Sequence, residues 1–165
     1  MVTVRIATPL DQDLLGRFGG ALVRQHHVAD PKRFFQVDRP EAGYGQFLVS
    51  QLANPNSLVM VAEKTGVVIG YVYATIESTS WMELRGPCGV VHDVYVDESA
   101  RRHGAARELM QAAIAWIHSK GRSQVVLLAK TENAHAQRLF TALGFRPTMT
   151  EMTLDLDTGR GGDRG

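Results

Sequence analysis

The chain is expected to fold as one α/β domain, a mixed β-sheet flanked by helices in the order β-α-α-β-β-β-α-β-α-β. Three observations carry that expectation. Apolar residues switch along the chain between strict alternation and helical spacing. The early strands follow one another through a tight turn, whereas the later ones are separated by helix-length segments, which mixes antiparallel neighbours with crossovers. A composition of 44% hydrophobic and 21% charged residues over 165 positions suits a globular domain with a buried core.

Val2 to Ala7 alternates as a half-buried strand does. Thr8-Pro9 reads as an N-cap followed by proline at the first helical position, and Leu14, Leu15, Phe18, Leu22 and Val23 recur at helical spacing, giving a first helix to about His26. The stretch HVADPKRFFQVDRP has two prolines and little periodicity and reads as a loop. Tyr44, Phe47, Leu48 and Leu52 mark a second helix, ended by Asn54-Pro55-Asn56. SLVMVAEKTGVVIGYVYATIE is a hairpin about Lys64-Thr65-Gly66. A loop, STSWMELRGP, leads to the strand CGVVHDVYVD. A helix from Gly104 to Lys120 follows, with Leu109, Met110, Ala113, Ile114 and Ile117 inward and Gly121 closing it. Gln124 to Ala129 reads as a buried central strand, Asn133 to Leu143 as a helix closed by Gly144, and Phe145 to Leu156 as a final strand or bent pair. The polar, glycine-rich DTGRGGDRG reads as a disordered tail, so residues 1–156 form the domain and 157–165 the tail.

Charge and cysteine content narrow the function. Eighteen basic against 17 acidic residues leave a formal charge of +1, which gives no global field for nucleic acid or an anionic membrane. MVTVRIATPL lacks a signal-peptide core and no apolar run is long enough to span a bilayer. One cysteine, Cys88, makes no internal disulfide. The expectation is a soluble, cytoplasmic protein without nucleic-acid or membrane partners. The histidines do not fall at metal-ligand spacings, so no metal is expected.

One corner of the sequence concentrates chemistry. In VVHDVYVDESARRHGAARELM a strand turns through Arg101, Arg102, His103 and Gly104 into a helix. A helix start carries amide groups without partners and a partial positive charge, and small residues at Gly104, Ala105 and Ala106 let a phosphate approach the backbone. A surface turn with solvated arginines accounts for the same residues.

Arg101-x-x-Gly104-x-Ala106 is similar to the Q/R-x-x-G-x-G/A signature of the GNAT N-acetyltransferase superfamily. Asn133, Ala136 and the run LFTALGF from Leu139 to Phe145 resemble the family's second cofactor-contacting segment, and the order of elements resembles its topology throughout. The resemblance implies a GNAT-like fold and acetyl-CoA as cosubstrate. It places the pyrophosphate on the backbone of Arg102, His103, Gly104, Ala105, Ala106 and Arg107. The pantetheine arm would lie along the backbone of Val94, Tyr95 and Val96, as an added strand, with Asn133, Ala136 and Phe140 on its other side. The family often dimerises, although no long apolar surface stripe specifies how, so a homodimer stands among the expected partners.

Acetyl transfer to an amine requires removal of a proton, because an ammonium near pKa 10 is mostly protonated at neutral pH. Alternation puts Asp93, Tyr95 and Asp97 on one face of the strand and His92, Val94 and Val96 on the other. Asp93 stands where related acetyltransferases carry an acid facing the acceptor, and is the expected amine ligand and general base. A turn cap or an arginine partner is the alternative reading of Asp93. His92 is the rival base by its near-neutral pKa, but points away unless a bulge re-aims it. His26 and His27 end the first helix where the family's acceptor pocket is often lined, although a helix C-terminus alone favours them there. Phe140 occupies the position of the tyrosine that protonates the leaving thiolate in many members, and phenylalanine cannot.

These residues point to an N-acetyltransferase moving acetyl from acetyl-CoA to a primary amine of a small molecule. The acidic residues Glu41, Glu77, Glu83, Asp93 and Glu98 suggest a polyamine or aminoglycoside as the acceptor. A protein or peptide amine, or acyl-CoA binding without catalysis, are the alternative readings.

Overall fold

The computed structural model describes residues 1–157. The expected disordered tail lies outside the described residues from 158 onward. Five strands form one sheet in the order β1-β2-β3-β4-β5: β1 Val2–Ile6, β2 Ser57–Lys64, β3 Val67–Glu77, β4 Cys88–Val96 and β5 Val125–Leu127. The first four pair antiparallel and β4 pairs parallel with β5. The mixed sheet expected from the sequence is present. Thr65 and Gly66, both at positive φ, close the β2–β3 hairpin in the tight form that matches strand twist.

Helices cover both faces. On one, α1 Gln12–Ala29 and α2 Pro40–Ser50 bury Leu15, Phe18 and Leu48 against Val59, Val61, Tyr71, Tyr73 and Tyr95. On the other, α3 Ala105–Ser119 and α4 Ala134–Ala142 bury Leu109, Met110, Ala113, Ile117 and Phe140 against Leu58, Val72, Ala74 and Val91. Each fully buried leucine or isoleucine contributes about 1.5–3 kcal/mol of hydrophobic stabilisation. Glycine sets the depth of the α1–α2 contact. A Cβ on Gly16 would sit 2.3 Å from the Glu41 carbonyl oxygen, and one on Gly45 2.4 Å from that of Gln12.

Three expectations are corrected. The first helix continues past His26 to Ala29, because nothing breaks it before Asp30, which Pro31 forces into extended backbone. The stretch Gln124 to Ala129 is not a buried central strand. Only Val125–Leu127 pair, all half-buried, and Leu128 is 88% exposed, because β5 has a neighbour on one side only. Residues 145–156 form no strand. Phe145 packs edge-on against Phe140, and the chain beyond it runs without a ladder partner, tied by an ion pair of Glu151 with Arg33.

Candidate active site

The register of β4 fails at one residue. Tyr73 pairs with Asp93 and the next β3 residue, Ala74, pairs with Val91, which leaves His92 as an extra residue in the strand. Alternation therefore stops there. Asp93 reaches the α1–α2 face as expected, and the bulge turns His92 to that face too, where its ring stacks on Tyr73 at 5.1 Å. Sequence alternation had put His92 with Val94 and Val96 on the far side.

Three elements converge on Asp93. Its Oδ2 accepts hydrogen bonds from the Tyr44 hydroxyl at 2.5 Å and the Tyr71 hydroxyl at 2.9 Å. Its Oδ1 has no hydrogen-bond partner among the described residues. Burial, with the Asp93 charge added to it, raises the pKa of Tyr44 and Tyr71, so both phenols stay protonated and donate. Tyr71 is fully buried on β3. Tyr44 arrives from α2, and the ring packs so closely on α1 that a Cβ on Gly19 would lie 2.1 Å from it.

His92 Nε2 lies 2.8 Å from Thr75 Oγ1 and 3.6 Å from Glu77 Oε1. Phe47 meets Tyr73 edge-on at 5.6 Å, so Phe47, Tyr73 and His92 form an aromatic wall beside Asp93. His26 and His27 bind backbone instead: His26 Nδ1 lies 2.7 Å from the Leu22 carbonyl and His27 Nδ1 2.9 Å from that of Phe34. Neither hydrogen-bonds Asp93. Burial holds His26 below the usual histidine range, and the Asp93 charge opposes this more weakly.

The acids expected to line a cationic pocket are mostly neutralised. Glu41 pairs with Arg24, Glu77 and Glu83 both pair with Arg85 at 2.9 and 2.7 Å, and Glu98 approaches Arg101 at 3.7 Å. Asp93 pairs with no cation among the described residues.

On the other side of β4 the ladder with β5 stops at Val91–Leu127, so the backbone from His92 to Val96 has no strand beside it there. This is a notch into which an extended arm of amide-like character fits, with the Arg101 side chain bonded to the Val96 carbonyl at 3.3 Å. The notch leads to the start of α3. Gly104 is its N-cap at φ 79° with no side-chain cap, and Arg102 also has positive φ, at 71°. Amide groups from Arg102 to Arg107 take no protein partner among the described residues. A Cβ on Gly104 would meet nothing within 4 Å. Open amides, dipole and neighbouring cations fit a pyrophosphate. Arg102, His103 and Arg107 are exposed at this corner, whereas the Ala105 methyl is buried in the core, so that residue offers its amide alone.

The second expected segment is less available than its sequence implies. Asn133 caps α4, its side-chain oxygen accepting the Ala136 amide at 3.0 Å. Phe140 is 8% exposed and packed in the core. Tyr95 is equally buried, near Phe18. Sequence reasoning missed Tyr44 and Tyr71 as partners of Asp93. The signal available was the glycine spacing of GRFGG in α1 opposite GYG in α2, which marks a close helix crossing.

A profile of the acetyltransferase (GNAT) family matches residues 23–145. A mycothiol acetyltransferase of Thermobispora bispora is 33% identical over 96 residues, 58% of this chain and 31% of that protein, so the chain spans only about a third of that relative's length. Among solved structures, a tetramutant of the Bacillus halodurans protein BH1408 superposes with a TM-score of 0.81 at 20% identity, covering 93% of this chain and 99% of that one. An aminoglycoside N-acetyltransferase, AAC(6')-Iy in complex with CoA, superposes with a TM-score of 0.73 at 20% identity, covering 95% of each chain. These two likenesses are of fold. No described helix is long and apolar enough to cross a membrane.

Proposed function

The chain belongs to the acetyltransferase (GNAT) family, and from that premise we propose that it moves the acetyl group of acetyl-CoA to a primary amine of a small, singly charged acceptor, by direct attack in a ternary complex. The observation that carries the reading is Asp93: one oxygen fixed by two phenols and the other open, on a bulged strand whose opposite edge is the notch.

Acetyl-CoA supplies the thioester when bound. The chain's own residues do the rest. The amides of Arg102 to Arg107 hold the pyrophosphate, and the free backbone of Val94 to Val96 aligns the pantetheine arm. Asp93 Oδ1 receives the acceptor ammonium as a charge-assisted hydrogen bond. The two phenols donating to Oδ2 fix the carboxylate so that its open Oδ1 serves as a ligand for a cation. Asp93 orients the amine, and the proton leaves through water. His92 lies on the same face and is the second group placed to take it. Phe140 cannot protonate the leaving sulfur, which departs as a thiolate, tolerable for a thiol of pKa about 8.5.

The acceptor's chemistry follows from the wall and the charges. Arginines already pair Glu41, Glu77, Glu83 and Glu98, so the carboxylate lining that would favour an aminoglycoside or polyamine is reduced to Asp93. Phe47, Tyr73 and His92 offer an aromatic surface next to it. A monoamine with an aromatic or apolar body matches both. A cytoplasmic setting belongs to the same reading, supported by the single buried thiol Cys88.

Release of CoA thiol from acetyl-CoA across aromatic monoamines, aliphatic monoamines, polyamines, aminoglycosides and peptide amines tests this. The expected outcome is highest kcat/KM on monoamines with an apolar body. Preference for polyamines or aminoglycosides would overturn the acceptor class, and no turnover on any amine would overturn the activity.

A further inference from the structure

The bulge that turns His92 toward the α1–α2 face also sets its ring against two residues of β3 that take no part in holding Asp93. Thr75 and Glu77 follow Tyr71 and Tyr73 at every second position of β3, on the same face, and the His92 ring stacks on Tyr73. His92 Nε2 is 2.8 Å from Thr75 Oγ1 and 3.6 Å from Glu77 Oε1. Thr75 Oγ1 in turn lies 3.1 Å from Glu77 Oε1. The other Glu77 oxygen, Oε2, accepts from Arg85 Nη2 at 2.9 Å, and Arg85 is itself tied to Glu83 and to the Cys88 sulfur.

Counting protons fixes the direction of each bond. Burial pushes the Glu77 carboxyl up, but hydrogen bonds from Arg85 and Thr75 outweigh it and hold the group below the usual carboxylate range. Glu77 is therefore ionised at neutral pH and has only acceptor oxygens. Thr75 has one hydroxyl proton to give. Were it given to His92, the Thr75 and Glu77 oxygens would face each other across 3.1 Å with no proton between them. The arrangement that satisfies every contact has Thr75 donating to Glu77 and accepting from His92, so Nε2 carries the ring proton. Nδ1 is left as a bare acceptor with no hydrogen-bond partner among the described residues. The His92 side chain is 37% exposed, so water reaches it.

We propose that Thr75 and Glu77 are positioning residues that hold His92 as its Nε2–H tautomer, so that Nδ1 takes the proton released by the acceptor amine. The assignment rests on the acetyl-transfer reading and adds to it the destination of the proton. One N–H bond of the ammonium breaks and one Nδ1–H bond forms, with water between them. The lone pair freed on nitrogen attacks the thioester carbon, and the C–S bond breaks as the thiolate leaves. The imidazolium faces Glu77 Oε1, whose charge stabilises it until its proton passes to solvent. The second proton, lost from nitrogen as the amide forms, goes to water.

Long-range proton–nitrogen spectra of the ring-labelled full chain, without ligand, read the tautomer at about pH 8.5, where an ordinary imidazole is neutral. The His92 signals are those lost in His92→Gln. The wild type should show Nε2–H, Thr75→Val a mixture, and Thr75→Ser the wild-type pattern again. Glu77→Gln should reverse the tautomer: Arg85 keeps the amide oxygen, the amide NH2 faces Thr75, and Thr75 then gives its proton to Nε2. On the best monoamine, kcat should fall roughly tenfold in Thr75→Val and Glu77→Gln, part of the 10²–10⁴-fold that a positioned base supplies, with recovery in Thr75→Ser. If Thr75→Val fails to fold, the wild-type spectrum and Glu77→Gln still decide. A wild-type ring protonated on Nδ1 would overturn the assignment whether or not any amine is acetylated. The Nε2–H tautomer with kcat unchanged in both variants would overturn the role of Nδ1 while acetyl transfer stands. Absence of turnover on every amine would overturn the acetyl-transfer reading, and this proposal with it.

Discussion

The two ends of β4 solve different problems by different means. At the α3 start, the corner proposed to bind phosphate is a continuous stretch from Arg101 to Arg107, and what it offers is mainly backbone. At the bulge, the corner proposed to receive the acceptor is assembled from Tyr44 on α2, Tyr71 on β3 and Asp93 on β4, and what it offers is side chains. A backbone site depends on the path of the chain and tolerates most side-chain changes. A side-chain site fails when any member is cut short. The contrast predicts where substitutions hurt, and by how much.

The largest effect is expected at the acceptor corner. Asp93→Asn should lower kcat by roughly 10²-fold, the size of loss that a misplaced reactant brings, with acetyl-CoA affinity by calorimetry unchanged. Wild-type turnover would remove Asp93 from the mechanism. At the other corner, Gly104→Val should weaken acetyl-CoA binding about tenfold, since an L-residue at positive φ costs about 1–2 kcal/mol and its side chain stands where the ligand approaches. Unchanged affinity with intact fold would show that the amides are not the cradle. Arg102→Ala, by comparison, should cost less than Gly104→Val, and the reverse order would break the backbone reading. A smaller loss is expected for Tyr44→Phe, about 1 kcal/mol or roughly fivefold in kcat/KM, because Tyr71 still holds the same carboxylate oxygen.

The smallest effect on activity is expected far from both corners, at the pair that fastens β1 to the start of α1. Arg5 donates to both Asp11 oxygens, at 2.8 and 3.0 Å, and Asp11 is 5% exposed. The Arg5 guanidinium holds the Asp11 carboxyl below the usual carboxylate range, against an opposing burial effect. A depressed folded pKa gives stability present above the unfolded value and lost as pH falls through the folded one. Asp11→Asn should therefore lower the thermal midpoint at neutral pH, leave kcat unchanged, and flatten the acid limb of the stability profile. An unchanged acid limb would show that Asp11 does not carry it.

The contrast also explains what the sequence makes legible. The corner from Arg101 to Ala106 is local, so its spacing survives as a written pattern, and the helix start falls where Gly104 puts it. The strands β2 to β4 are legible because helices cover both faces of the sheet, which leaves long β-rich apolar runs in the sequence. Tyr44 and Tyr71 are not legible as partners of Asp93, because their meeting depends on the depth at which α1 crosses α2. His92 is misplaced by alternation because a bulge leaves no mark in composition. The stretch from Phe145 to Leu156 does carry a strand pattern. The pattern alone does not make a strand, because no edge of the sheet pairs with it among the described residues.

The extra residue in β4 also has a consequence for how such a site changes over generations. Val91 and Val94, on either side of the bulge, stay in the apolar layer under α3, so adding His92 alters nothing in that packing. The strand thereby carries two neighbouring side chains toward the cleft where regular pleating allows one. Position 92 is free of the core and beside the proposed acceptor corner, so a lineage can sample new groups there without reopening the question of whether the protein folds.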